Sequence, residues 1–210
     1  MKTSILIIYI LFSISAFAQS NLDFQDTRRK NESFSKVREP EIRSDLAGFT
    51  LSGIPESVGK EEFTKIPITS FSADSMVFEG NGIKALIKTT PFDKSQHKLT
   101  YDEKYLVRID KKTYYGGYGR VPFKVVSQVL LLGDGDTVAI PAVAFADLYN
   151  MNFIYIDKGV QRSRNGVYRS KEGHRIYIYA LSRDNTGSYE VTWVIQDKNY
   201  FRRVLDYDFM

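Results

Sequence analysis

The ten residues TYYGGYGRVP, Thr113–Pro122, hold three tyrosines, three glycines and an arginine. Glycines this dense raise the question of a phosphate cradle. A dinucleotide loop needs G-x-G-x-x-G between a parallel strand and a helix N-terminus. Here Pro122 and a run of β-forming residues follow Gly119, so no helix start is on hand to receive phosphate. Two readings of the stretch survive. In one it is a recognition loop: Tyr114, Tyr115 and Tyr118 offer stiff contact area with a polar tip, and Arg120 pairs with a carboxylate or stacks on a ring. In the other it is a wide turn whose glycines take positive φ while the tyrosines cover the edge of the core.

Tyrosine is unevenly spread. Thirteen of the 14 tyrosines lie at or beyond Tyr101. Arg175 shares a strand-like run with Tyr177 and Tyr179, and Tyr200 sits beside Arg202. On the solvent face of a sheet such rows form an amphipathic binding surface. The alternative is that tyrosine is simply a strong strand former. Together with the glycine-rich stretch these rows give a candidate ligand-binding set: Tyr114, Tyr115, Tyr118, Arg120, Arg175, Tyr177, Tyr179, Tyr200 and Arg202.

Signals for catalysis are sparse, and no catalytic residue is nominated. The chain has no cysteine, which removes thiol catalysis, cysteine zinc sites and iron–sulfur clusters. Its two histidines, His97 and His174, stand alone beside turns, without the spacing of a metal site. Glu172 with His174 makes a conceivable acid–base pair, though an exposed turn pair is far more common. Asp134 and Asp136 flank Gly135, too few oxygens for a calcium loop and well explained by a hairpin tip. The G-x-S-x-G elbow of serine hydrolases does not occur. A glycosidase needs two placed carboxylates, and 25 acidic residues cannot nominate a pair from sequence. No metal or cofactor is expected.

The elements that must position these residues read as strands. Ser75–Glu79 and Ile83–Thr90 flank Gly80-Asn81-Gly82 as a hairpin, with Ile83, Ala85 and Ile87 facing inward. Tyr105–Asp110 is a further strand. Phe123–Leu132 is a long β-run that returns through Thr137–Ile140. Gly173–Leu181, Ser188–Gln196 and Tyr200–Tyr207 are three more strands joined by turns. In the middle one, Tyr189, Val191, Trp193 and Ile195 share a buried face, and Glu190, Thr192 and Gln196 a wet one that Val194 interrupts. One segment breaks the rhythm: Pro141–Asn150 has proline at a first helical turn, then Ala142, Phe145 and Leu148 at helical spacing. The expected fold is mainly β, an antiparallel sandwich or barrel-like set of sheets with that one short helix.

The N-terminus reads as an export signal. Lys2 precedes a mostly apolar run, Ile5–Ile14, and Ala16-Phe17-Ala18 supplies the small residues of a cleavage site. The run is short of the roughly 20 residues that span a bilayer. Residues 1–18 are therefore expected as a signal peptide, 19–46 as a charged linker or arm, and 47–210 as a β-rich domain, whole or in two small subdomains. Within Asn21–Leu46, 12 of 26 residues are charged, too few apolar groups to offset ordering entropy. The net charge of +4 is too small and too dispersed for a nucleic-acid footprint.

Two stretches, DTVAIPAVAFADLYNMNF (Asp136–Phe153) and GSYEVTWVIQDKNYFRRVLDYDF (Gly187–Phe209), resemble small exported β-rich proteins of Bacteroidetes-type bacteria. The resemblance, over Ile66–Phe209, implies an exported β-rich domain and brings no activity or site residues. The expectation is an exported, non-catalytic binding or interaction module, periplasmic, on the cell surface or secreted. Its partner would be an envelope glycan, peptide or protein, with no nucleic acid and no membrane span in the mature chain. The competing expectation is a hydrolase of envelope polymers.

Overall fold

The computed structural model describes residues 30–56, 62–133, 135–185, 187–207 and 209, so the expected signal peptide lies outside the described residues. The strands are β1 (Thr64–Ile66), β2 (Ile68–Phe71), β3 (Ser75–Gly80), β4 (Ile83–Pro91), β5 (Leu99–Asp102), β6 (Tyr105–Ile109) and β7 (Lys124–Gly133). They continue as β8 (Asp136–Ala139), β9 (Tyr155–Asp157), β10 (Val160–Arg162), β11 (Gly166–Arg169), β12 (Arg175–Asp184), β13 (Gly187–Gln196) and β14 (Asn199–Tyr207). One five-stranded sheet runs β1-β11-β12-β13-β14 and a second runs β2-β3-β4-β7-β8. Two ribbons, β5–β6 and β9–β10, complete an all-antiparallel set.

Alternation decides how the two large sheets meet. In β4, Ile83, Ala85, Ile87 and Thr89 are buried and the residues between them are not. Ile83, Ala85 and Ile87 share one apolar cluster with Ile178, Ala180, Val191, Trp193 and Ile195 of the other sheet. One core therefore lies between two sheets, the sandwich arrangement expected from strands with one apolar face. Each large aliphatic side chain buried there stabilises the fold by ~1.5–3 kcal/mol.

The outward face of the first sheet departs from expectation. All of Ser188–Ile195 in β13 is buried, Glu190 and Thr192 included. Their cover comes from residues 30–56, most of which belong to the segment expected as a charged linker. Phe34, Val37, Ile42, Leu46 and Ala47 pack on Tyr177, Val194 and Val204. Val194, the apolar residue on the face expected to be wet, is the floor of this contact. Within the segment, the only α-helix among the described residues is α1 (Pro40–Ala47). Proline is tolerated in its first turn, where no intrahelical N–H bond is lost. Ile42 and Leu46, one turn apart, face the sheet.

The helix expected over Pro141–Asn150 is not formed. Only a 3-10 turn, Ala142–Ala144, is present. Beyond it the backbone is claimed by strand-like bonds: Tyr115 N donates to Asp147 O at 2.8 Å, Tyr149 N to Tyr115 O at 2.8 Å, and Val126 N to Leu148 O at 2.9 Å. Asn150 closes the segment at φ 50°. Pairing across the chain thus overrides local helical spacing.

Candidate functional site

The glycine-rich stretch acts as a clasp. Tyr114 and Tyr115 are buried. The Tyr114 hydroxyl donates to Leu106 O at 2.9 Å and accepts from Gly119 N at 3.2 Å. Gly116 sits at φ +86°, and a Cβ there would come within 2.1 Å of Tyr149 O. That glycine is demanded by backbone approach and by left-handed geometry together. Tyr118 is half-buried with its ring over Gly187, where a Cβ would lie 2.6 Å from it. Arg120 alone of the four is exposed. The wide-turn reading of this stretch is the one its geometry follows.

The Tyr/Arg rows are also spent on packing, Tyr200 against the main core and the others on a face that is roofed rather than wet. Arg175 Nε donates to Asp45 Oδ2 at 2.9 Å and its Nη1 to Glu41 Oε2 at 2.5 Å. The Tyr177 hydroxyl donates to the same Asp45 carboxylate. The Tyr179 hydroxyl donates to Glu190 Oε2 at 2.8 Å. Burial, reinforced by these carboxylates, pushes both tyrosine pKa values up. Tyr200 is half-buried against the main core. Arg202, also half-buried, donates to Glu39 Oε2 at 3.0 Å. Tyr114, Tyr115, Tyr177 and Tyr179 therefore present no binding face to solvent.

Two ionisable clusters were not named from sequence. Glu190 and Asp206 are cross-strand partners on β13 and β14. Burial pushes the Asp206 carboxyl up to about 6, with the Glu190 charge adding to the rise and the Phe34 N–H opposing it. Glu190, however, accepts from Leu51 N, Ser52 N and Ser52 Oγ at 2.8, 2.8 and 2.5 Å. With Tyr179 on its other side, it ties down the loop after α1. In the second cluster His97 Nδ1 meets Asp110 Oδ2 at 2.7 Å, beside a cavity of about 180 Å³ that Tyr149 also lines. Asp110 accepts from Lys98 N at 2.8 Å, closing the open end of the β5–β6 ribbon. The His97 hydrogen bond and that N–H hold the Asp110 carboxyl below its ordinary range. Burial pushes the Tyr149 hydroxyl up to about 12.

A concave site lies at one end of the sandwich, where the sheets part between turns. A cavity of about 180 Å³ opens there over Ile83, Leu131, Val138, Ile176 and Ile195. Its rim is charged: Lys198 Nζ meets Asp136 Oδ2 at 2.7 Å, and His174 Nδ1 meets Asp197 Oδ1 at 3.3 Å. Arg169 adds a further cation. Two shallower depressions continue it. One, about 500 Å³, shares Ile83, Gly133 and Asp136 with the cavity and extends past Gly82 and Lys84. The other, about 520 Å³, shares His174 and extends over Phe63, Lys171 and Arg175 to α1. The three form a groove with an aliphatic pit at its centre. Such a site, apolar below and polar at the rim, is the usual form of a ligand pocket.

Of the residues expected to bind ligand, only Arg175 lines this groove. Glu172 and His174, weighed as a pair, both line it but face other partners: Glu172 lies 3.8 Å from Arg175, and His174 faces Asp197. Asp136 is on the rim as well, whereas Asp134 lies outside the described residues. Among the described residues, no group of three or more His, Asp or Glu side chains is placed to hold a metal ion. No described helix is long and apolar enough to cross a membrane. The chain matches no protein-family model, and no curated protein matches it significantly.

Proposed function

We propose that this protein is an exported, non-catalytic binding module of the cell envelope or extracellular space, and that it engages its ligand along the groove at the open end of the sandwich. The observation that carries the reading is the aliphatic pit between the turns: Val138 and Ile176, at the edge of the main core, remain only half-buried and line its mouth. Covering them gains apolar burial, which is a driving force for association. The rim charges supply orientation. The export half of the reading rests on the charge, apolar core and A-x-A order of residues 1–18.

The test is binding by the chain from Gln19 onward to envelope glycans, peptides and proteins, repeated with Val138→Trp. A ligand whose affinity falls at least tenfold in the variant supports the groove, and affinity unchanged by it places the ligand elsewhere. Export is checked by fusing residues 1–30 to a reporter active only outside the cytosol.

A hydrolase of envelope polymers is the second reading, favoured by the raised Asp206 carboxyl beside Glu190. Turnover of such a polymer, lost in Asp206→Asn while the fold persists, would displace the binding reading.

A further inference from the structure

We infer that the groove's ligand is an extended polypeptide segment, held by one aliphatic side chain inserted into the central pit. The inference rests on the groove reading above and specifies its ligand class.

The floor of the pit is aliphatic throughout. A sugar ring is best held by a flat aromatic face, with unspent hydrogen-bonding groups for its hydroxyls. Phe63, the aromatic residue in the adjoining depression, is already edge-to-face with Phe49 at 5.5 Å and 89°. Several charged groups along the groove pair with one another, as Lys84 with Glu79 at 2.8 Å and Lys171 with Glu62 at 3.2 Å. That lining offers little to a polyol and suits a branched hydrocarbon group.

The shape agrees. The pit takes a side chain of leucine size, while the depressions on either side lead away in two directions, as an extended main chain requires. The charges along the groove stand in exposed pairs, which a segment carrying both signs can exchange for pairs with itself and an uncharged polyol cannot. The mouth opens readily, because the Lys198–Asp136 bridge across it is 58% and 57% exposed at its two side chains. An exposed ion pair contributes little stability, so an incoming chain displaces it at small cost.

The test is selection of random 12-residue peptides on the chain from Gln19 onward, followed by titration of an enriched peptide by fluorescence anisotropy. The expected result is one fixed position enriched in Leu, Ile, Val or Met. Its replacement by Ala in the peptide should weaken binding about tenfold to a hundredfold. Val138→Trp should abolish binding, with a thermal melt confirming that the variant folds. The alanine scan of the peptide needs no altered protein, so it decides the matter even where a pit variant fails to fold. No enriched peptide, or one whose anchor is not aliphatic, overturns the inference. A glycan array run beside it separates the two levels. A glycan lost on Val138→Trp overturns the polypeptide ligand and keeps the groove, whereas no ligand of either kind sensitive to that substitution overturns both.

Discussion

The two large sheets differ on their outward faces. On β4 and its neighbours the outward side chains, Lys84 and Lys88 among them, meet solvent. On β12, β13 and β14 the outward side chains mix polar groups with Tyr177, Val194 and Val204, and Arg175, Glu190 and Thr192 are buried under residues 30–56. A polar row alternating with an apolar one is compatible with water or with a roof. What separates them is supply of partners, since a buried charge persists only when it is paired. The first sheet has Asp45, Glu41 and Ser52 waiting above it.

Substitutions on each side sharpen this contrast. Asp45→Ala should have the largest effect, because it removes the buried carboxylate shared by the Arg175 guanidinium and the Tyr177 hydroxyl, leaving Arg175 only the more exposed Glu41 and Glu172. A loss of ~3–5 kcal/mol is expected for breaking a buried pair from one side, read by urea denaturation. Leu46→Ala empties the apolar contact of the same roof and should cost ~2–5 kcal/mol by the same measurement. Its effect separates hydrophobic cover from ionic pairing.

The third comparison uses pH. Asp206, under the roof, has its carboxyl raised from 3.8 to about 6 by burial. The folded state therefore binds its proton more tightly than the unfolded state does. This group's stabilising contribution is full below the unfolded value, falls as pH rises towards 6, and is gone above it. Going from pH 7 to pH 5 should thus add ~1 kcal/mol of stability on account of Asp206. Asp206→Asn should remove that increment from paired urea melts. A pH response identical in the two proteins would mean the carboxyl is solvated and the roof is open there. The smallest effect belongs to the bare face: Lys84→Ala breaks an exposed pair with Glu79 and should change stability by less than ~0.5 kcal/mol.

Much of the sandwich is legible in the sequence. The hairpins around Asn81–Gly82 and Gly133–Asp136, and the run from Arg175 to Tyr207, are written in period-two alternation and turn residues. The roof was harder to see because its apolar residues are few. Phe34, Val37, Ile42 and Leu46 are interleaved with six charged residues, and several of those charges, such as Asp45 and Glu41, have partners over 100 residues away. No local window contains both halves of such a pair. The groove was hidden for a related reason. Its rim comes from turns near residues 82, 135, 174 and 198, each ordinary alone and joined only by the fold. The most conspicuous composition, at Thr113–Pro122, was instead committed to close backbone packing.

The earliest described turns dock on the last strand: Phe34 N donates to Asp206, and Glu32 pairs with Arg203 at 2.7 Å. These contacts bridge 171 and 172 positions along the chain. Loop closure over such a distance is slow to be rewarded, so native topology of this kind delays completion. A growing chain cannot seal its first sheet until β14 has arrived. Until then the turns at Glu32 and Phe34 have no strand to dock on, and the incomplete polypeptide is the form most in need of a chaperone.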